Sequence, residues 1–194
     1  MNELKMFCNR NNLSFEKLED LCNRNGISKK DILIISGLQY PGGESLNLHL
    51  HYPPAFIKSI NKEIKANQNI YMPKYMIFFH GTASSLKDKI LNEGLLPTSA
   101  NRRRSYQSTN GYVYLANSYN RAQMFGNLGN GDKICVFAVL VKTTDIKIDL
   151  DQLRNQQIAN PDIEIKQTLG DSMYYGGGVR IKGMIQPYQL VLLK

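Results

Sequence analysis

Apolar residues along the first forty positions recur at helical spacing. Leu4, Phe7 and Cys8 form one face of a first helix. Ser14 is placed to cap a second helix, Phe15 to Asn23, whose apolar positions are Phe15, Leu18, Leu21 and Cys22. Lys17 stands where a capping box would carry Glu or Gln, so the cap is a simple one. Asn25-Gly26 closes that helix with a left-handed turn, and Ser28 opens a third, Lys29 to Ser36, closed by Gly37. Pro41-Gly42-Gly43 then leads into the alternating Leu46, Leu48 and Leu50, a turn and a short strand with one apolar face. Pro53-Pro54 breaks that strand. Ala55 to Ala66 reads as a basic amphipathic helix and Asn67 to Lys74 as a linker.

From residue 75 the pattern changes. Tyr75 to Phe79 is a continuous apolar run, expected as a buried strand ending at His80-Gly81-Thr82. Ser84 or Ser85 starts a helix with Leu86, Ile90 and Leu91, stopped by Gly94. After a polar, basic stretch from Asn101 to Gly111 come a strand, Tyr112 to Ala116, and a helix, Ser118 to Phe125, ended by Gly126. Further strands are expected over Ile134 to Val141 and Ile146 to Ile148, a helix over residues 150–160, and two strands in the tail. This order implies an α+β domain with mixed or antiparallel sheets. The linker divides the chain into a mainly helical extension, residues 1–71, and a second module, residues 72–194.

Composition narrows the classes. Of 194 residues, 42% are hydrophobic and 21% charged, which excludes a disordered chain. No apolar run approaches the ~20 residues that span a bilayer. The N-terminus lacks the apolar stretch of a classical secretion signal. Cys8, Cys22 and Cys135 lack metal-site spacing and fit reduced structural thiols. The expectation is a cytoplasmic protein without a membrane partner, or one delivered into a host cell without a classical signal peptide. Net charge is +8, and most of the basic excess lies in residues 72–194. An anionic partner or ligand fits it, as does plain solubility.

Few residues carry recognisable chemistry. No nucleophilic triad, phosphate loop or dinucleotide glycine motif is present. His49 and His51, at i, i+2 on the polar face of the short strand, could hold a metal, but no further Cys or His joins them. His80 follows a buried strand and precedes Gly81, where backbone can approach a ligand closely. Leu18-x-x-Leu21-Cys22-x-x-x-Gly26-Ile27-Ser28-x-x-x-Ile32 resembles a helix-turn-helix, although its second helix carries only Lys29 and Lys30 as cations.

The combination is more specific than its pieces. His80-Gly81-Thr82 at a strand, a helix closed by Glu93-Gly94-Leu95, a basic loop, then Val113-Tyr114-Leu115-Ala116 before Ala122-x-x-Phe125-Gly126 resembles the ADP-ribosyltransferase superfamily. The tail from Gly178 to Leu190 looks like that superfamily's last-strand region, nearest to the RNA 2′-phosphotransferase branch and the DNA-targeting toxins. The resemblance covers about residues 75–194. It implies a split mixed or antiparallel sheet with flanking helices, with NAD bound in the cleft between two sheets. It also implies His80 on the ribose hydroxyls, Gly81 pairing with the carboxamide and Tyr114 stacked on nicotinamide. Thr82, Ala116 and Phe125 complete the expected cofactor site.

Elementary chemistry agrees with those roles. Imidazole hydrogen-bonds hydroxyls, and a tyrosine face attracts a cationic pyridinium. The forks of Arg102 and Arg104 suit a pyrophosphate. A late-strand Glu is usual in such enzymes, but Gly178 stands in its place. Glu164, Asp171 or no residue supplies the carboxylate, and Glu164 is taken as the candidate. The implied activity is NAD-dependent ADP-ribosyl transfer to a nucleic acid or an acidic protein, as in toxins, effectors or phage-encoded host modifiers. The alternatives are an NAD-dependent RNA 2′-phosphotransferase, which the missing Arg-His pair weighs against, and a nucleic-acid-binding protein using the N-terminal helices.

Overall fold

The computed structural model describes residues 3–35, 54–97, 108–127 and 133–193. The expected strand with His49 and His51, and the stretch with Arg102 and Arg104, lie outside the described residues.

Alternating and continuous apolar runs build one six-stranded sheet. Its strands are β1 (Tyr75–Ala83), β2 (Tyr112–Ala116), β3 (Ile134–Lys142), β4 (Ile146–Lys147), β5 (Gly178–Lys182) and β6 (Leu190–Leu192). Their order is β4-β5-β2-β1-β3-β6, and every registered strand pair is antiparallel. The α+β expectation holds, with an antiparallel rather than a mixed sheet.

The pairing is uneven. β1 and β3 are matched from Tyr75↔Lys142 to Ala83↔Ile134, and β2 and β5 from Tyr112↔Lys182 to Ala116↔Gly178. Between β1 and β2 the only registered pair is Phe79↔Ala116. The sheet is therefore two half-sheets, β1-β3-β6 and β2-β5-β4, joined at a narrow seam.

Helices cover the halves differently. One face packs α3 (Pro54–Asn67), through Ile60 and Ile64, and Ile90 of α4 (Lys87–Glu93) against Met76, Phe78, Val113, Leu115, Val139, Val179 and Ile181. The opposite face packs α1 (Glu3–Arg10), α2 (Phe15–Arg24) and α5 (Tyr119–Gly126) against Ile77, Phe79, Val136, Ala138 and Leu140. Burying these fully enclosed side chains contributes about 1.5–3 kcal/mol each. Both N-terminal helices thus share a core with the sheet. Asn11, 1% exposed, accepts a hydrogen bond from Tyr119 N at 2.9 Å and so satisfies one of the first amides of α5. Lys17 Nζ and Arg24 Nη2 donate to the Leu192 and Leu190 carbonyls of β6 at 2.8 and 3.0 Å.

Ser14 caps α2 by accepting from Lys17 N, as its position predicts, and Ser118, expected as the first residue of its helix, caps α5 by accepting from Arg121 N. Two expectations are corrected. The helix expected over Lys29 to Ser36 is a single 3-10 turn, Lys29–Asp31, held by Asp31 against Ser28. Ile32 then pairs parallel with Tyr75, and Leu33 N donates to Tyr75 O. The run Ile32-Leu-Ile-Ile prefers extended backbone, so no recognition helix forms there. Likewise β1 does not end at His80 but carries His80, Gly81 and Thr82 within it. Among the described residues no helix is long and apolar enough to cross a membrane.

Candidate functional site

Where the half-sheets part, a cavity of about 390 Å³ opens. Beyond Phe79, β1 pairs only with β3 among the described residues, so its other edge is bare, and Phe79, His80 and Gly81 line the cavity in succession. Tyr114 and Ala116 line it from β2, Phe125 from α5 and Gly178 from the start of β5. The opposite wall is α6 (Leu150–Ala159), which presents Asp149, Gln152, Asn155 and Gln156.

Two glycines permit this geometry. A Cβ on Gly81 would lie 1.8 Å from the Ala122 carbonyl oxygen, so only glycine lets α5 rest on β1. A Cβ on Gly178 would lie 2.3 Å from the Leu115 oxygen. A glutamate at that position would push β5 off β2, which explains why the late strand opens without a carboxylate.

The polar groups are held in fixed orientations. His80 Nδ1 lies 3.1 Å from the Tyr114 carbonyl oxygen. A carbonyl only accepts, so Nδ1 carries the proton and donates to it. The Tyr114 hydroxyl donates to Asp151 in a short hydrogen bond and accepts from Thr109 N at 2.8 Å. Thr109 Oγ1 donates to the other Asp151 oxygen at 2.9 Å, and Arg180 lies 3.6 Å from Asp151 while its guanidinium covers the Tyr112 ring at 4.3 Å. Burial and the Asp151 carboxylate push the Tyr114 hydroxyl up to about 12, so it stays protonated. Burial opposes ionisation of Asp151, but the hydrogen bonds from Tyr114 and Thr109 outweigh it and hold the carboxyl below its usual range.

Asp149 is different. It is 8% exposed, caps α6 by accepting from Gln152 N at 3.0 Å, and its pKa is pushed up to about 6 by burial. Asp151 raises it further, while Arg180 and the Gln152 amide oppose the rise. Ser172 fixes its place by accepting from Asp149 N at 2.8 Å and donating to Gly178 O at 2.9 Å. Ser172 opens a π-helical turn, Ser172–Gly176, a local widening that is frequent beside functional sites.

Of the residues named from sequence, the cavity gathers His80, Gly81, Tyr114, Ala116 and Phe125. Thr82 is buried in the β1–β3 ladder opposite Cys135 and is not among the lining residues. Glu164 lies outside helix and strand with its side chain 84% exposed, 4.0 Å from Lys166 and away from the cavity lining. Asp171 is buried and bonded to Thr168, also off the lining. Sequence reasoning missed Asp149, Gln152, Asn155 and Gln156. Their signal was a polar stripe at helical spacing behind a capping aspartate, whereas the reading followed apolar positions.

The assembled site offers an imidazole, an aromatic face, glycine backbone on the cavity lining and a carboxyl that burial pushes up to about 6. No family model, curated protein or solved structure matches the chain.

Proposed function

We propose that the protein is an NAD-dependent ADP-ribosyltransferase acting on a protein or nucleic-acid acceptor. What supports the reading is one observation: a single cavity joins His80, Gly81, Tyr114, Ala116 and Phe125 from three elements, and these are residues that the resemblance assigns to NAD. Its volume falls within the ~300–1,000 Å³ of small-molecule sites.

In this reading His80 Nε2 accepts from a ribose hydroxyl, Gly81 backbone pairs with the carboxamide, and the Tyr114 ring stacks on the pyridinium. The bond between the ribose anomeric carbon and the pyridinium nitrogen breaks. Its electron pair leaves with nicotinamide, which departs neutral. A nucleophilic oxygen or nitrogen of the acceptor captures the cationic sugar and gives up its proton. The carboxylate that stabilises the cation is Asp149 rather than Glu164, because Asp149 faces the cavity and Glu164 faces solvent. Only the ionised form serves, so transfer falls as pH drops through about 6.

The test incubates the chain with NAD labelled in the adenylate portion and a cell lysate, then separates protein from nucleic acid. Label in either fraction with release of nicotinamide is expected, and His80→Ala, Tyr114→Ala and Asp149→Asn each lower it by at least about tenfold. A folded protein that releases no nicotinamide and labels neither fraction overturns the reading. Labelling untouched by all three substitutions overturns the site.

A further inference from the structure

The α6 wall of the cavity holds side chains that the chemistry above leaves unused. Gln152, Asn155 and Gln156 lie on one helical face, with Asp149 at its start. Gln156 is 9% exposed, and Gln152 and Asn155 are half-buried. Gln152 and Gln156 take part in hydrogen bonds only through their backbones, and no hydrogen bond is made by the Asn155 side chain, among the described residues. Burying an amide without a partner is unfavourable. Gln156 is the buried one of the three, and with the half-buried Gln152 and Asn155 it lines one wall with amide donors and acceptors that a ligand would satisfy.

Charge and shape narrow that ligand. Among the described lining residues there is no Lys or Arg, so the wall is not built for phosphate. An amide offers a donor and an acceptor in one plane, the pattern that matches the edge of a nucleobase. Phe125 across the cavity offers a flat face, apart from the Tyr114 ring used above, on which a planar ring can stack.

We propose that Gln152, Asn155 and Gln156 form a recognition face for the hydrogen-bonding edge of a nucleobase. The base is either the adenine of the dinucleotide or a base of a nucleic-acid acceptor. The inference rests on the reading above in taking this cavity as the ligand site, and it adds what the α6 wall reads.

The test titrates the full chain calorimetrically with NAD, nicotinamide mononucleotide, adenosine, guanosine, cytidine and thymidine. It repeats each titration with Gln156→Leu, Asn155→Leu and Gln152→Leu. Gln152 and Asn155 are half-buried and Leu keeps the size of the Gln side chain, so thermal melting is expected to show folded variants. Weakening of adenosine and NAD together by about tenfold, with nicotinamide mononucleotide unchanged, supports the proposal and assigns the base to the dinucleotide. Weakening of another nucleoside with NAD unchanged supports it and assigns the base to the acceptor. Equal weakening of nicotinamide mononucleotide and NAD, no change in any folded variant, or no nucleoside binding at all overturns it. Nucleoside binding that depends on α6 without any NAD turnover would sink the transferase and leave this inference standing. Turnover with no dependence on α6 would do the reverse.

Discussion

The two half-sheets are built from similar residues but are finished differently. In β1-β3-β6 two of the strands, β1 and β3, are nine residues long and bury both faces, with Phe78, Phe79 and Phe137 at most 1% exposed. In β2-β5-β4 the strands are short. Val113, Leu115, Val179 and Ile181 bury one face, while the alternate positions carry Tyr112, Tyr114, Gly178, Arg180 and Lys182. Strand alternation alone produces this division. The difference separates two tasks. The first half anchors the fold, and the second leaves a polar face against which α6 can form a cavity.

Three substitutions probe that contrast. Phe137→Ala attacks the anchor, where the ring is fully enclosed, and is expected to cost about 3–5 kcal/mol in denaturant unfolding. Loss of less than about 1 kcal/mol would mean that the long half is not the anchor.

Asp149→Asn tests the site half and runs the other way. Burial pushes Asp149 up to about 6, from 3.8 for an ordinary aspartate in water. The native state thus holds this proton more tightly than the unfolded state does. Stability is lost as pH climbs from about 4 to about 6, amounting to about 3 kcal/mol above that window. Asparagine can still cap α6 and carries no charge. The variant is expected to be more stable than the native chain at pH 7, by up to that amount, and equal to it below pH 4, while losing the transfer proposed above. Melting curves at pH 3.5, 5 and 7 check this. A variant less stable at pH 7 would show that the carboxylate is held by favourable contacts rather than merely desolvated.

Gly178→Ala tests the seam. Its methyl meets the Leu115 oxygen, so β2 and β5 must shift, at about 1–3 kcal/mol. The cavity changes shape with them, so the NAD affinity expected from the proposed function should fall along with the melting temperature. Unchanged melting and affinity would show that the register between these strands is loose.

Local signals in the sequence were enough where one residue decided the outcome. Ser14 marked its helix because a hydroxyl before an apolar repeat has one obvious use. The long strand at Ile134 was equally plain. Ile32 to Ile35 was misread because a run of aliphatic residues fits a buried helix as well as an extended segment, and only pairing with Tyr75 decides between them. Among the candidate residues on strands, His80, Gly81, Tyr114 and Ala116 sit in short recognisable motifs and reach the cavity, whereas Thr82 does not. The carboxylate was placed on Glu164 because spacing cannot say which of several acids turns inward. That depends on α6 folding back across the seam, and on a hydroxyl from Ser172 holding its first turn.

The contacts from α2 to β6 bear on how the molecule meets other molecules. A terminal strand with bare carbonyls invites a further strand from another chain. Here Lys17 and Arg24 occupy two of those carbonyls with bulky cations. At the other end of the sheet, β4 has only two residues and ends in an exposed lysine. Among the described residues neither border presents a long bare edge, which disfavours strand addition at both ends of the sheet.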